Sequence, residues 1–253
     1  MSKGMRIFIV LGNITAAGGL YLWFFGASTM FVLETRYVGW KAPVVKREPK
    51  ELTDLSVTAA PARKFSFGGY EFDGPWDDVD EGKTRIVGKM EIIVFRSGHT
   101  MLISTPPSKE FVNGVLQSGF DRESFRRIYG DEPLASDYAM YSLMLHTTPE
   151  KITLFTPRRE AVGSMMMLTI KAIPIPDSAS TGLFTIHNQS LQGFQYGDPQ
   201  KRAPRIIIDL LGDNGGIEFN IGQRKEGSCP AITQAELNCI IQSTRKVKLQ
   251  GSD

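Results

Sequence analysis

The chain has 253 residues with 42% hydrophobic, 22% charged and 10% aromatic side chains, a composition that excludes wholesale disorder. The formal net charge of +2 is unevenly placed: residues 1–50 hold seven basic and two acidic residues, a net of +5, which leaves −3 for the remainder. A mildly acidic remainder excludes a nucleic-acid binder, which needs a basic face to neutralise phosphates.

Residues 7–33, IFIVLGNITAAGGLYLWFFGASTMFVL, contain no Asp, Glu, Lys, Arg or His. A bilayer core is crossed by about 20 mostly apolar helical residues, so this stretch is predicted to be a transmembrane signal-anchor with the lipid bilayer as its partner. A cleaved signal peptide has a shorter apolar region and a small-x-small site, which Phe31-Val32-Leu33-Glu34 does not provide. The short basic tail over residues 1–6, with Lys3 and Arg6, points to a cytoplasmic N-terminus. That orientation gives a bacterial inner-membrane protein with a periplasmic domain. Lys and Arg nearly balance across the two flanks, which keeps a cytoplasmic domain as the alternative. Residues 34–63 follow as a linker. Three prolines after residue 41 and no sustained apolar period predict an extended or loosely ordered segment.

One soluble domain is expected over 64–248. Phe65, Phe67, Tyr70 and Phe72 fall near alternate positions around Gly68-Gly69, which predicts a strand with a bulge or bend. Residues 77–82, DDVDEG, lack the glycine spacing and late Glu of a calcium loop and read as a solvated turn. Residues 90–95 and 100–104 read as strands joined at Arg96-Ser97-Gly98-His99, and Pro106-Pro107 stop the sheet. A helical block follows over 108–173. Ser108 and Asp121 are candidate caps of its first two helices. A third helix fits 136–146, and a fourth, 157–173, is apolar nearly all round its second half. Strands return over 183–187 and 191–196, then 205–211 and 216–222. The last pair flanks Gly212-Asp213-Asn214-Gly215, residues that accept the positive φ of a tight hairpin. Ile217, Phe219 and Ile221 alternate with Glu218 and Asn220, the pattern of a half-buried strand. A closing helix starts at the capping box of Thr233 and Glu236. The fold class is therefore α+β: one N-terminal transmembrane helix, then a mainly antiparallel sheet covered by helices, with a helical block inserted between strand groups.

The ending, IEFNIG, a short loop and the helix ELNCIIQSTRKV, resembles the close of PsbP-like domains, and the earlier GYEFDGPW is similar to that family too. The resemblance implies an antiparallel sheet and a non-catalytic accessory or assembly role. It carries over no site residues.

Chemical motifs are sparse. There is no G-x-S-x-G and no C-x₂-C, and neither Gly68-Gly69 nor Gly215-Gly216 leads into the Lys-Ser/Thr of a phosphate loop. Cys229 and Cys239 read as two thiols, with a disulfide as the alternative in an oxidising compartment. No catalytic set, metal site or cofactor is expected. Arg158-Arg159 at a helix start oppose the helix dipole, which suggests an acidic partner or anion, or else an exposed pair satisfied by Glu160. Gln195, Tyr196, Asp198 and Arg202 share the polar stretch GFQYGDPQKR, the candidate ligand-contacting loop, against a plain surface turn. Two functions compete. One is a membrane-anchored, non-catalytic binding or assembly module of the cell envelope with an envelope protein partner. The other is a membrane-bound enzyme whose site gathers distant residues such as His99, Asp137, His146 or Arg158.

Overall fold

Strands and helices segregate along this chain because the apolar period switches from two to about 3.6 near Pro106 and back near residue 183. The computed structural model describes residues 18–26, 29–30, 32–34, 36–37, 39, 42–118, 121–173, 175–213, 215–223 and 229–247. The strands are β1 (Lys50–Glu51), β2 (Arg63–Phe67), β3 (Tyr70–Gly74), β4 (Arg85–Val87), β5 (Met90–Val94) and β6 (His99–Ser104). Four helices follow: α1 (Glu110–Gln117), α2 (Arg122–Tyr129), α3 (Asp137–His146) and α4 (Arg158–Ala172). The chain closes with β7 (Leu183–His187), β8 (Gln192–Tyr196), β9 (Arg205–Gly212), β10 (Gly215–Gln223), α5 (Gln234–Ser243) and β11 (Arg245–Lys246).

An eight-stranded sheet runs β1-β7-β8-β9-β10-β6-β5-β4, and a three-stranded sheet runs β11-β3-β2. Every pairing is antiparallel except β1 with β7. Alternation on β9 and β10 sends two sets of side chains to opposite faces. Ile206, Ile208, Leu210, Phe219 and Ile221 join a core with Phe72, Leu237 and Ile240 from the small sheet and α5. Phe194, Tyr196 and Ile207 join a second core with Val115, Phe125, Met140 and Met144 from the helical block. Both faces of the large sheet are thus covered.

Local signals account for most boundaries. Asp121 accepts a bond from Ser124 N–H and Ser136 from Ala139 N–H, while Thr233 and Glu236 close a capping box. The Gly68-Gly69 step, read as a bulge or bend, is the two-residue turn of the β2–β3 hairpin. Both glycines have positive φ, +58° and +82°, as that tight turn requires. In the β9–β10 hairpin, Asn214 lies outside the described residues.

The expected transmembrane helix is corrected: among the described residues no helix is long and apolar enough to cross a membrane. Tyr21 donates its hydroxyl to the Leu154 carbonyl at 2.9 Å, so the described helical residues from 18 onward dock on the folded unit. Glu34 and Arg36 continue those helical residues, which interrupts the apolar run. The tail over 1–6 and residues 7–17, 27, 28 and 31 of the predicted span lie outside the described residues. The stretch read as a linker, 34–63, contributes structure of its own. A short 3₁₀ turn, Pro43–Lys46, buries Val45, β1 adds an edge to the large sheet, and Leu52 and Leu55 pack on the first core.

The β8–β9 contact is unusually close. A Cβ built on Gly193 would lie 1.7 Å from the Asp209 carbonyl oxygen, so these strands pair in register only with no side chain there. Gly193→Ala is expected to cost about 2–3 kcal/mol, the upper range for overpacking, read as a lower urea midpoint. An unchanged midpoint would show that the strands give way freely.

Candidate functional site

The site lies where α1, α3 and the C-terminal end of α4 cover β9 and β10. Asp209 and Glu218 are direct cross-strand partners in the β9–β10 register, and both occupy the face turned toward the helical block. Directly opposed residues place their Cβ atoms about 5 Å apart, so the two carboxyl groups share one small volume. Above them is a cavity of about 420 Å³, walled by Phe111 and Val115 of α1, Tyr141 of α3 and Ile170 of α4, with Ile173 just after α4. A smaller recess of about 190 Å³ continues from the same two acids toward Tyr196 and Ile175. A cavity of this size, mostly apolar with a few convergent polar groups, has the form of a small-molecule site.

Each wall has a local cause. The α1 helix begins at Lys109 with left-handed φ and no cap from its own side chains. Its Val112 N–H instead donates to Asp137 Oδ1 at 3.0 Å, so the first residue of α3 caps α1 and locks the two helices together. Phe111 and Tyr141 then stack, with ring centroids 3.8 Å apart and planes 12° from parallel. Gly114 faces the cavity in the middle of α1, and a Cβ there would meet nothing within 4 Å. Glycine in a helix interior costs about 1 kcal/mol relative to Ala, and here it keeps the wall thin.

The electrostatics follow from burial. Loss of water pushes the Asp209 carboxyl up to about 8, with Glu218 adding to the shift and a hydrogen bond from the Tyr196 hydroxyl opposing it. Burial also raises Glu218. Tyr196, 3% exposed, is held well above the usual phenol range by burial and then by Asp209. Tyr141 is raised by burial and by the charges of Asp209, Glu218, Asp137 and Glu110. At neutral pH the Asp209–Glu218 pair therefore retains a proton.

The residues singled out from sequence are distributed differently. Tyr196 alone of them reaches this site. Gln195, its neighbour, points to the opposite face, fully buried, and exchanges amide hydrogen bonds with Gln234 of α5. Asp198 caps the turn Pro199–Lys201 and pairs with Lys201 at 3.3 Å, while Arg202 is exposed just beyond that turn. Arg158 and Arg159 are exposed at the start of α4. Of the distant set considered for an enzyme, Asp137 lines the cavity. His99 stacks on Trp76 in the other core, and its Nε2 lies 3.1 Å from the Pro230 carbonyl oxygen. The His146 ring lies against Ser142 of its own helix. Cys229 and Cys239 are both free thiols.

Asp209 and Glu218 were the residues that sequence reasoning passed over. Glu218 sits in an alternating strand and reads as solvent-facing. The signal that marks the site is Asp209 within RIIIDLL: one acid inside a run apolar enough for burial on both faces. No family model, curated protein or solved structure matches the chain.

Proposed function

We propose that this protein is a binding module for a small apolar molecule, held between the helical block and the large sheet. The observation that carries the reading is the 420 Å³ cavity with its hydrophobic walls and a carboxyl pair on its floor. Filling the cavity tests it. The neutral dye N-phenyl-1-naphthylamine is expected to bind with enhanced fluorescence. Gly114→Leu, placed where a side chain meets open space, is expected to abolish that signal while raising the melting temperature through better helix propensity. Dye binding undiminished in Gly114→Leu would place the apolar site elsewhere.

A second reading, an enzyme, is favoured by the pair itself, since a carboxyl that keeps its proton beside one that accepts is the arrangement of a general acid and base. Turnover of a bound ligand, lost in Asp209→Asn with binding retained, selects this reading. Binding without turnover selects the module.

A further inference from the structure

The cleft is rich in acids and contains no base. Glu110 of α1, Asp137 of α3, Asp209 of β9 and Glu218 of β10 all line it, and among the described residues no Lys, Arg or His does. Asp137 is engaged at the start of α1. Asp209 and Glu218 are not neutralised by any described cation. The titratable groups that face them are Tyr196 from β8, Tyr141 and Asp137 from α3, and Glu110 from α1. Two carboxyl groups facing each other in an apolar wall with no internal counter-charge disfavour ionisation, and an incoming cation removes that penalty. Among the described residues no three His, Cys, Asp or Glu side chains are grouped to hold a metal ion, so the donor set suits an organic cation. The stacked Phe111 and Tyr141 rings line the same space, an aromatic surface that attracts cations as well as apolar bodies.

We propose that the cleft binds an amine: an ammonium group seated between Asp209 and Glu218, carried on an apolar body that packs against Phe111, Val115 and Ile170. This rests on the reading of the cleft as a ligand site. The pair holds one proton when empty. The empty pair therefore already carries one carboxylate; binding of R–NH₃⁺ releases the shared proton to solvent and leaves both carboxylates facing the ammonium.

The test uses three ligands with one skeleton: 4-phenylbutylamine, 4-phenylbutan-1-ol and 4-phenylbutyrate. Each is titrated calorimetrically into the full-length protein at pH 7 in two buffers of different ionisation enthalpy. The amine is expected to bind at least about tenfold tighter than the alcohol, as charge-assisted pairing in a dry site implies. It alone is expected to show a buffer-dependent heat that corresponds to release of close to one proton. Glu218→Gln, and separately Asp209→Asn, are expected to bring amine affinity down toward that of the alcohol and to abolish the proton release. The single Glu218 variant alters the carboxyl without a hydrogen bond from the described residues, so the result does not depend on Asp209→Asn folding. An alcohol that binds as tightly as the amine, or a carboxylate that binds tighter, overturns the amine assignment and leaves the apolar cleft standing. Failure of all three ligands and of the neutral dye overturns both.

Discussion

Lys171→Met is expected to destabilise the protein by about 3–5 kcal/mol, the range for removing one partner from a buried charged network. Lys171 is fully buried near the end of α4. Its ammonium donates to Leu145 O at 2.6 Å, Arg47 O at 2.7 Å and Thr147 O at 2.9 Å. Two of those carbonyls belong to the C-terminal end of α3, where the last carbonyls of a helix lack partners and a cation is favoured. The third belongs to the segment between the 3₁₀ turn and β1. One side chain thus ties α3, α4 and the strand-edge segment together. Met matches its length but supplies no donor, and three carbonyls lose theirs. The check is urea unfolding, with Lys171→Arg as a control that keeps the charge; equal midpoints for Met and wild type would remove the clamp from the account. The pH dependence has a definite sign. Burial pulls the Lys171 ammonium down to about 8, below its ordinary 10.5. Between those values the unfolded chain binds more protons than the folded one, so this group makes stability rise with pH across that window.

Asp209→Asn is expected to leave stability nearly unchanged at pH 4 and to exceed wild type by several kcal/mol at pH 9. The folded Asp209 carboxyl titrates near 8 against an ordinary 3.8. Between those values the folded state holds a proton that the unfolded chain has released, so wild-type stability falls as pH rises through the window. At about 1.4 kcal/mol per unit the loss is capped at roughly 6 kcal/mol, with relaxation around the charge reducing it. Asn is neutral at every pH and nearly isosteric, and its carbonyl oxygen still accepts from Tyr196. Glu218→Gln acts in the same direction by a smaller amount, because Glu218 is raised by burial alone. Asp209 thus acts below pH 8 and Lys171 above it, with opposite signs. Melting temperatures at pH 5, 8 and 9.5 for wild type and Asp209→Asn check both claims. Parallel curves for the two proteins would show that Asp209 ionises freely.

Dependence on an amine ligand follows the same linkage. A cation seated on the pair lowers its proton affinity, so bound amine is expected to flatten the decline in stability between pH 5 and 8.

The elements that sequence reasoning located share one property: their cause lies within a few residues. The Thr233–Glu236 capping box, the Asp121 cap, the glycines of the β9–β10 hairpin and the strand alternation of β10 all act over one turn or one strand pair. Where a cause was distant, the reading failed or stopped short. The apolar stretch over 7–33 looks like a membrane span when only its own composition is weighed. Its described part is helical, yet Tyr21 bonds to Leu154, a partner 133 residues away. The stretch over 34–63 looks like a linker because β1 has only two residues, and its pairing partner, β7, lies more than 130 residues on.

The candidate site shows the same division. Alternation by itself determined that Glu218 and Asn220 lie on one face of β10 and Ile217, Phe219 and Ile221 on the other. Only the tertiary structure decided that the polar face is an interior one. The register that sets Asp209 against Glu218, the Asp137 cap that fixes α1, and the helical block laid over both strands convert a pattern of solvent exposure into a mostly apolar cleft. The physical reason is that direction along a strand is a local property, while burial is a property of whatever packs above it. Proton affinity depends on burial, so the chemistry of Asp209 and Glu218 was settled by helices that lie far from them in the chain.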